Sequence, residues 1–292
     1  MDIDFGPPDR HGDLPGTPLQ QCGTYAAVMA AFGCNPVLAD IHDGSVLLGR
    51  ARVHVRRVGP LRMAWLPRGP VWTDAATPIL QHRALAALPR AAPWRALWAI
   101  GCDSAGIRRG LQAAKGLEMA ELDLAPCATA RRAAQHGKWR NRLKRAEASD
   151  LNVTARPLLL PQDAPLLAQE TAQRRRRGYA ALPHAFTEKW TKLAPDSTLL
   201  LTARENGTPV GFMLMLLHAP VATYHIGWSG PRGRALNVHN LLLWRASQDL
   251  AARGYTRLDL GRTDTARTPG IARFKMGTGA APRAVGPTTL CL

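Results

Sequence analysis

Residues 199–228 read LLLTARENGTPVGFMLMLLHAPVATYHIGW and contain three apolar runs. The first two runs, 199–203 and 210–217, are separated by a segment with an Asn-Gly pair at 206–207, a strong signal of a tight β-hairpin turn. The third run, 221–228, follows an Ala-Pro break. Apolar runs of this length between turn signals predict three strands that lie side by side in one sheet.

The chain then continues with a turn, a helix and a strand. Residues 229–234 are too rich in glycine and proline for the interior of a helix or strand, so we expect a loop. Apolar residues at helical spacing between 236 and 250 predict a helix that begins after Asn237, its N-cap. Residues 255–260 predict a further short strand.

A glycine-rich loop before a helix suits an anionic ligand, because free N–H groups and the helix dipole favour negative charge there. Acyl-CoA-dependent N-acyltransferases hold a pyrophosphate in such an arrangement. An ordinary turn that redirects the chain accounts for the loop equally well. The candidate donor- or phosphate-binding residues are Gly230, Arg232, Gly233, Arg234 and Asn237.

Two motifs near the two ends of the chain resemble the FemABX family. Residues 254–261 read GYTRLDLG and residues 271–277 read IARFKMG, similar to a family strand and the F-K-x-G-F-G loop that follows it. Thr278 stands where the family has a second aromatic residue. Near the N-terminus, residues 66–71 read LPRGPV and resemble the end of another family strand. The two motifs occur in the family's order and together bracket most of the chain.

The resemblance implies an α/β (α+β) fold of two tandem GNAT-like domains, each a mixed, mostly antiparallel sheet flanked by helices. Domain 1 would span 18–125 and domain 2 would span 126–281, with the C-terminal strand at 282–292 completing domain 1. Residues 1–17, rich in Pro, Gly and Asp, predict a flexible N-terminal tail or an arm that wraps around the rest of the protein. FemABX enzymes transfer amino acids from aminoacyl-tRNA to peptidoglycan precursors, so these are the implied co-substrate and acceptor.

The charge of the chain favours anionic partners. Its 292 residues carry a net charge of +17, which suits tRNA, a nucleotide-linked or peptide acceptor, or the inner face of a membrane. The excess of positive charge has an alternative explanation, because codon bias in a GC-rich genome would also enrich the chain in arginine. The chain has no apolar run near the roughly 20 residues of a membrane helix, no secretory signal and no C-x-x-C pair among five cysteines. We therefore expect a cytoplasmic protein without a metal or cofactor.

Two segments are strongly basic. A helix predicted over 130–148 has an apolar stripe and places Lys138, Arg142 and Arg145 on one side, with Arg131 near them. Part of this helix resembles a FemABX helix, which implies that its basic side faces the anionic substrate; a solvated charged face is the alternative. Four arginines end a helix predicted over 164–178, where the dipole favours them.

The resemblance also suggests residues for the chemistry. The lysine of the family's F-K motif corresponds to Lys275, with a role in stabilising charge at the transferring ester. From the residues themselves, Asp259 and Asp264 are candidates for orienting the substrate or accepting a proton, although an ion pair with Arg257 or Arg262 would explain Asp259 equally well. The further candidate substrate-binding residues are Arg68, Tyr224, His225, Trp228 and Phe274, together with the three basic residues of the predicted helix.

Three functions fit these features. The first is transfer of an aminoacyl group from aminoacyl-tRNA to an amine of a peptidoglycan precursor or another peptide or cell-envelope acceptor. The second is an acyl-CoA-dependent N-acyltransferase that acts on a small amine. The third is a non-catalytic, basic RNA-binding protein with a degenerate transferase fold. The transferred group, the acceptor and the oligomeric state stay open.

Overall fold

A computed structural model describes residues 1–103, 110–179 and 181–291 of the chain. The contacts within it divide the chain into two compact units. One unit contains residues 1–118 and 284–292, and the other contains residues 119–283. Each unit has its own sheet and its own buried apolar cluster.

The helices and strands are as follows, in chain order. The first part of the chain contains β1 (Asp2–Gly6), α1 (Gly23–Ala31), β2 (Asn35–Asp43), β3 (Val46–Val58), β4 (Leu61–Leu66), β5 (Val71–Trp72), α2 (Pro78–Ala91), β6 (Leu97–Gly101), β7 (Leu111–Ala114) and β8 (Leu117–Asp123). The next part contains α3 (Ala128–Ala134), α4 (Gly137–Glu147), β9 (Asn152–Arg156), α5 (Leu160–Arg177), α6 (His184–Leu193), β10 (Thr198–Glu205), β11 (Thr208–His218) and β12 (Val221–Ser229). The last part contains α7 (Pro231–Ala235), α8 (Val238–Ala252), β13 (Arg257–Thr263), α9 (Pro269–Met276), β14 (Ala281–Val285) and β15 (Thr288–Cys291).

The sheet of the first unit has the strand order β1-β2-β3-β4-β6-β15-β7, with β5 paired to β3. Strands β4 and β6 are parallel, and the pairs on either side of them are antiparallel. The C-terminal strand β15 lies between β6 and β7. The mixed sheet thus takes in a strand that is distant in sequence.

The N-terminal residues are more ordered than the sequence predicts. Strand β1 pairs antiparallel with β2 over its whole length. Ile3 and Phe5 pack against the apolar cluster of the first unit, and this contact holds the segment on the sheet edge. The prediction of a flexible tail is therefore wrong for Asp2–Gly6.

Three further predictions of local structure are wrong. The helix predicted over 130–148 is two helices, α3 and α4, because the chain is extended at Gln135 and His136 and the His136 N–H donates to Gly277 O. The loop predicted over 229–234 contains the short helix α7, which proline can begin because it lacks an N–H to satisfy. The sequence also predicts a helix over 105–115, but residues 105–109 lie outside the described chain and β7 occupies Leu111–Ala114.

The sheet of the second unit has the order β14-β8-β13-β12-β11-β10-β9. The predicted hairpin is confirmed: β10 and β11 pair antiparallel around Asn206 and Gly207, both with positive φ as a tight hairpin turn requires. The predicted third strand is β12, which pairs antiparallel with β11.

Helices cover both faces of this second sheet. Helices α4 and α8 pack on one face, where the predicted stripe of Trp139, Leu143 and Ala146 is buried. Helix α5 packs on the other face, with Leu166 and Leu167 buried against β11 and β12. In the described part of the chain no helix is long and apolar enough to span a membrane.

Candidate active site

Strands β12 and β13 are parallel but are paired only where they begin. Their ladder covers three residue pairs, from Val221 with Arg257 to Thr223 with Asp259. Each strand then continues for at least four residues with no ladder pair between them in the described chain. The strands therefore separate, and a gap opens between their C-terminal ends. Backbone N–H and C=O groups along this gap need partners other than the neighbouring strand.

A β-bulge in β12 lies at the start of the gap. Leu214 of β11 pairs with Ile226 and Met215 pairs with Tyr224, so His225 has no partner in this ladder. A bulge bends its strand and increases the local twist, which is consistent with β12 turning away from β13 here.

The side chain of His225 points towards α6. Its Nε2 lies 2.8 Å from Thr187 Oγ1, and its ring packs near Phe186. Burial lowers the pKa of His225 to about 4, with Arg174 lowering it further, so the imidazole is neutral at pH 7. The imidazole of His225 is therefore held by Thr187, whereas the backbone of His225 belongs to the part of β12 that is not paired with β13.

Lys275 lies over the part of β13 that is no longer paired with β12. It is in the last turn of α9 and is only 8% exposed, and its Nζ donates a hydrogen bond to Arg262 O at 2.8 Å. Burial lowers the pKa of Lys275 to about 8, although the Asp259 carboxylate opposes this shift. A Cβ on Gly261 would stand 3.5 Å from the Lys275 Nζ, so the amine lies directly over this part of β13.

The Asp259 carboxylate is buried at the last ladder pair and accepts a hydrogen bond from the Gly261 N–H at 2.7 Å. This contact fixes the backbone of β13 next to Lys275. Asp264 instead lies in the turn after β13, where it accepts the Arg267 N–H and contacts Arg262. Asp259 is therefore the carboxylate that is close to Lys275.

Phe274 connects α9 with the helices on its face of the sheet. Its ring lies 6.2 Å from the ring of Trp139 on α4 and 6.2 Å from that of His239 on α8. His239 hydrogen bonds to the backbone of Trp228, near the end of β12. Burial lowers the pKa of His239 to about 4, and its Nε2 has no partner among the described residues. Sequence analysis missed His239, because nothing in its position on the helix distinguishes it.

The predicted phosphate-binding loop makes many contacts within the protein. A side chain at Gly233 would overlap the Val210 carbonyl, so this glycine is required for packing. The Gly230 N–H also donates to Val210 O. Arg232 forms an ion pair with Glu205.

The last two residues of this candidate set are Arg234, in α7, and Asn237, which directly precedes α8. Arg234 is exposed and donates to Ser229 O at 2.7 Å. Asn237 occupies the N-cap position, as predicted, but its backbone is left-handed and its side chain does not cap the helix. No ligand is needed to explain the contacts of these five residues.

Lys138, Arg142 and Arg145 are exposed on α4, and no ion pair involves them within the described residues. Arg131 does not join this surface, contrary to the prediction. It is 7% exposed and donates to Leu124 O at 2.8 Å, so it supports the backbone. We call Lys138, Arg142 and Arg145 the basic surface of α4.

Arg68 belongs to the first unit. Its backbone has a positive φ of 48°, and its Nε lies 2.8 Å from Asp103 Oδ1. The buried Gln21 amide donates to Pro67 O at 2.7 Å, and the Gly69 N–H donates to Gly101 O. The turn that carries Arg68 is therefore held from both sides.

Sequence analysis also missed a polar cluster on α5. Glu170 is 3% exposed, and its Oε1 accepts a hydrogen bond from the Tyr179 hydroxyl at 3.1 Å. The nearby Gln173 amide donates to the carbonyl of Gly227 on β12. A signal was present: the buried residues of α5 recur at helical spacing, and two of these inward positions are Glu170 and Gln173 rather than apolar residues.

Comparison with known proteins identifies a family to which this chain is similar. The family model described as acetyltransferase (GNAT) domain matches residues 129–280. A search of the curated proteins finds no significant match.

Several solved structures are similar. One is FemX, with a TM-score of 0.77 and 12% identity over 99% of this chain and 96% of that chain. Another is a tandem GNAT protein from the clavulanic acid biosynthesis pathway, with a TM-score of 0.54 and 11% identity over 99% and 98%. A third is a conserved protein of unknown function from Bacteroides thetaiotaomicron, with a TM-score of 0.55 and 11% identity over 92% and 89%. The predicted α/β fold of mixed sheets flanked by helices is confirmed.

Proposed function

Because the chain belongs to the family of acetyltransferase (GNAT) domains and is an acyltransferase, we propose that it transfers an aminoacyl group from aminoacyl-tRNA to an amine. The acceptor is a peptidoglycan precursor or another peptide or cell-envelope component. The observation that carries the proposal is the position of Lys275, a buried amine over the end of β13 that has separated from β12. The resemblance of its motif to the F-K motif of FemABX enzymes supports the same role.

The reaction needs a positioned acceptor and a stabilised oxyanion. The acceptor nitrogen forms a bond to the ester carbonyl carbon, and the carbonyl oxygen becomes negatively charged in the tetrahedral intermediate. The carbon–oxygen bond to the tRNA ribose then breaks. The ribose oxygen takes up a proton, and the former amine loses one, so the overall change is an ester exchanged for an amide.

Lys275 suits the stabilising role because its charge is shielded from water. A cation in a poorly solvated site interacts more strongly with a developing oxyanion than an exposed one does. With a pKa of about 8, most of the Lys275 amine is protonated at pH 7 and can still release its proton readily. The carbonyl of Arg262 accepts one of its three N–H bonds, which leaves the others for substrate.

The basic surface of α4 supports tRNA as the donor. Lys138, Arg142 and Arg145 lie on the helix whose Trp139 contacts Phe274, so the surface belongs to the same unit as Lys275. Phosphate contacts by such side chains release counterions, and the resulting affinity falls steeply with salt.

The test is a comparison of donors with one amine acceptor. A mixed pool of labelled aminoacyl-tRNAs and a pool of labelled acyl-CoAs are offered to the wild type, to Lys275→Ala and to the control Lys192→Ala, which changes an exposed lysine on α6. We expect product from the tRNA pool alone, abolished by RNase and by Lys275→Ala but not by Lys192→Ala. Product from acyl-CoA alone would contradict the proposal.

An acyl-CoA donor is the second candidate, since the matching family model is named for acetyl transfer. Arg234, in the short helix α7 that precedes α8, is the exposed cation that could meet its pyrophosphate. The internal contacts of Gly233 and Arg232 weigh against it. Calorimetry with coenzyme A on the wild type and on Arg234→Ala tests this candidate, and binding that the variant loses would favour it.

A non-catalytic RNA-binding role is the third candidate. Thr278 departs from the family motif, but its hydroxyl accepts the Ala280 N–H and donates to Lys275 O, which holds the end of α9. If Lys275→Ala leaves every measured transfer activity unchanged while RNA binding persists, this candidate gains.

A further inference from the structure

Glu170 is a buried carboxylate that the transfer mechanism above does not use. Within the described residues its Oε1 accepts a hydrogen bond from the Tyr179 hydroxyl, and no arginine or lysine nitrogen lies within 4 Å of its carboxylate oxygens. Burying an anion without a cation is costly, because one neutral donor does not replace its hydration. A site of this kind gains stability when a ligand brings a positive charge.

The carboxylate belongs to a cluster that reaches the separated part of β12. Gln173 Nε2 lies 3.5 Å from the Tyr179 hydroxyl and donates to Gly227 O at 3.4 Å. Gly227 lies two residues beyond His225, or about 7 Å along an extended strand. Through Gln173 the cluster is therefore in contact with the part of β12 that follows the bulge and is no longer paired with β13.

Tyr224 borders the same cluster. Burial raises the pKa of Tyr224, and the charges of Tyr179 and Glu170 raise it further, so these groups are its neighbours. The Tyr224 hydroxyl lies only 2.6 Å from where a Cβ on Gly227 would stand. Glycine at this position thus leaves room for the phenol next to the strand.

We propose that Glu170, Tyr179 and Gln173 form a binding site for a primary ammonium group of a substrate. The inference rests on the proposed function and adds a substrate class to it. A carboxylate supplies the counter-charge, and the Tyr179 ring adds a surface that attracts cations. An aminoacyl group carries such an ammonium next to its carbonyl, whereas an acetyl group does not.

Two substrates could supply the ammonium: the aminoacyl donor or the amine-bearing acceptor. The test uses an aminoacyl-tRNA and the matching α-hydroxyacyl-tRNA, in which a hydroxyl replaces the ammonium with little change in size. Each is assayed with the wild type, with Glu170→Gln and with the control Glu188→Gln, which removes a half-exposed carboxylate that lies beside His184 on α6. The kcat/KM for each donor and the KM for the acceptor are measured.

If the donor supplies the ammonium, we expect the wild type to favour the aminoacyl ester roughly 10- to 100-fold, the range of a charged hydrogen bond. Glu170→Gln should lose most of this preference, and Glu188→Gln should keep it. If the acceptor supplies it, both donors should react equally, and Glu170→Gln should raise the acceptor KM by a similar factor. Unchanged donor preference and unchanged acceptor KM in Glu170→Gln would overturn the inference while leaving the proposed function intact.

Folding of the variants is checked by thermal unfolding. Glutamine has almost the size of glutamate and still accepts the Tyr179 hydrogen bond, so Glu170→Gln should fold. Tyr179→Phe provides a second variant, which removes the hydroxyl that holds Glu170 and should show a smaller loss in the same direction. Absence of transfer from both esters by the wild type would overturn the proposed function and this inference together.

Discussion

The Nζ atom of Lys275 donates a hydrogen bond of 2.8 Å to the carbonyl oxygen of Arg262. This contact joins α9 to the end of β13 that has separated from β12. A buried amine is thereby fixed over the end of β13, and in the proposed function it is the group that the substrate carbonyl would approach. The contact also explains why a loop residue in the sequence becomes the reactive centre of the proposed site.

The pH dependence of transfer should report on Lys275. Its pKa of about 8 means that the ammonium is lost as the pH rises through this value, so kcat should fall above about pH 8. Arginine stays charged throughout this range. Profiles of kcat against pH for the wild type and for Lys275→Arg, measured at saturating substrates, should therefore differ in this descending limb.

A variant that lacks the limb but retains measurable turnover would support the assignment. If kcat falls above pH 8 in the same way in the wild type and in Lys275→Arg, the group that titrates is not Lys275. In that case the acceptor amine or the donor ester becomes the origin of the pH dependence.

Stability should also depend on Lys275 in a defined pH window. The pKa of this group is 10.5 in the unfolded chain and about 8 in the folded protein, so between these values the unfolded state binds more protons. The free energy of unfolding therefore rises with pH from about 8 to 10.5, and the full penalty of the buried charge is present below pH 8. Lys275→Met removes this penalty.

We expect Lys275→Met to be more stable than the wild type at pH 7 by roughly 1–3 kcal/mol. The difference should shrink between pH 8 and 10.5. Denaturant unfolding at pH 7 and at pH 9.5 measures both quantities. A variant that is clearly less stable at pH 7 would indicate that the amine has a structural role instead.

Gly233 should tolerate no side chain. A Cβ there would overlap the Val210 carbonyl, which is backbone and cannot move away cheaply. Gly233→Ala should therefore destabilise the protein by about 3 kcal/mol or more. Gly270→Ala is the matched control, because a Cβ at Gly270 meets nothing within 4 Å. Thermal unfolding midpoints distinguish the two, and equal midpoints would refute the packing argument.

The basic surface of α4 should bind tRNA through its charge. Replacing Lys138, Arg142 and Arg145 together with glutamine should weaken tRNA binding for all tRNAs alike. The slope of log Kd against log salt should fall by about 3, one for each lost phosphate contact. Filter binding or fluorescence anisotropy at several salt concentrations measures this slope.

The control carries the same loss of charge elsewhere. Arg57, Arg83 and Arg90 are exposed residues of the first unit, and their triple glutamine variant should keep the wild-type slope. Equal changes in both triple variants would mean that net charge, rather than the surface of α4, attracts the tRNA.

The sequence carries enough information for the architecture where the signals are local. Asn206 and Gly207 predict the hairpin because few residues adopt the left-handed backbone of its turn. The spacing of Trp139 and Leu143 predicts the buried side of α4 for a similar reason. The break between α3 and α4 depends instead on a hydrogen bond from His136 to Gly277, which is distant in sequence.

In the candidate site, too, local sequence signals predict some features and contacts between distant residues determine the others. The motif around Lys275 points to the residue, but its hydrogen bond to Arg262 depends on how α9 folds back on β13. Glu170 was overlooked because a carboxylate on a helix usually faces water, and only its place in the buried pattern of α5 reveals it. Tertiary contacts decide both features.

The most direct test of the central claim is single-turnover transfer. Excess protein is mixed with a labelled aminoacyl-tRNA and an amine acceptor, and the label that appears in amide product is followed over time. We expect product with the wild type and with Lys192→Met, and a rate at least about 100-fold lower with folded Lys275→Met, the scale of a lost oxyanion contact. Equal rates in the wild type and Lys275→Met would contradict the account.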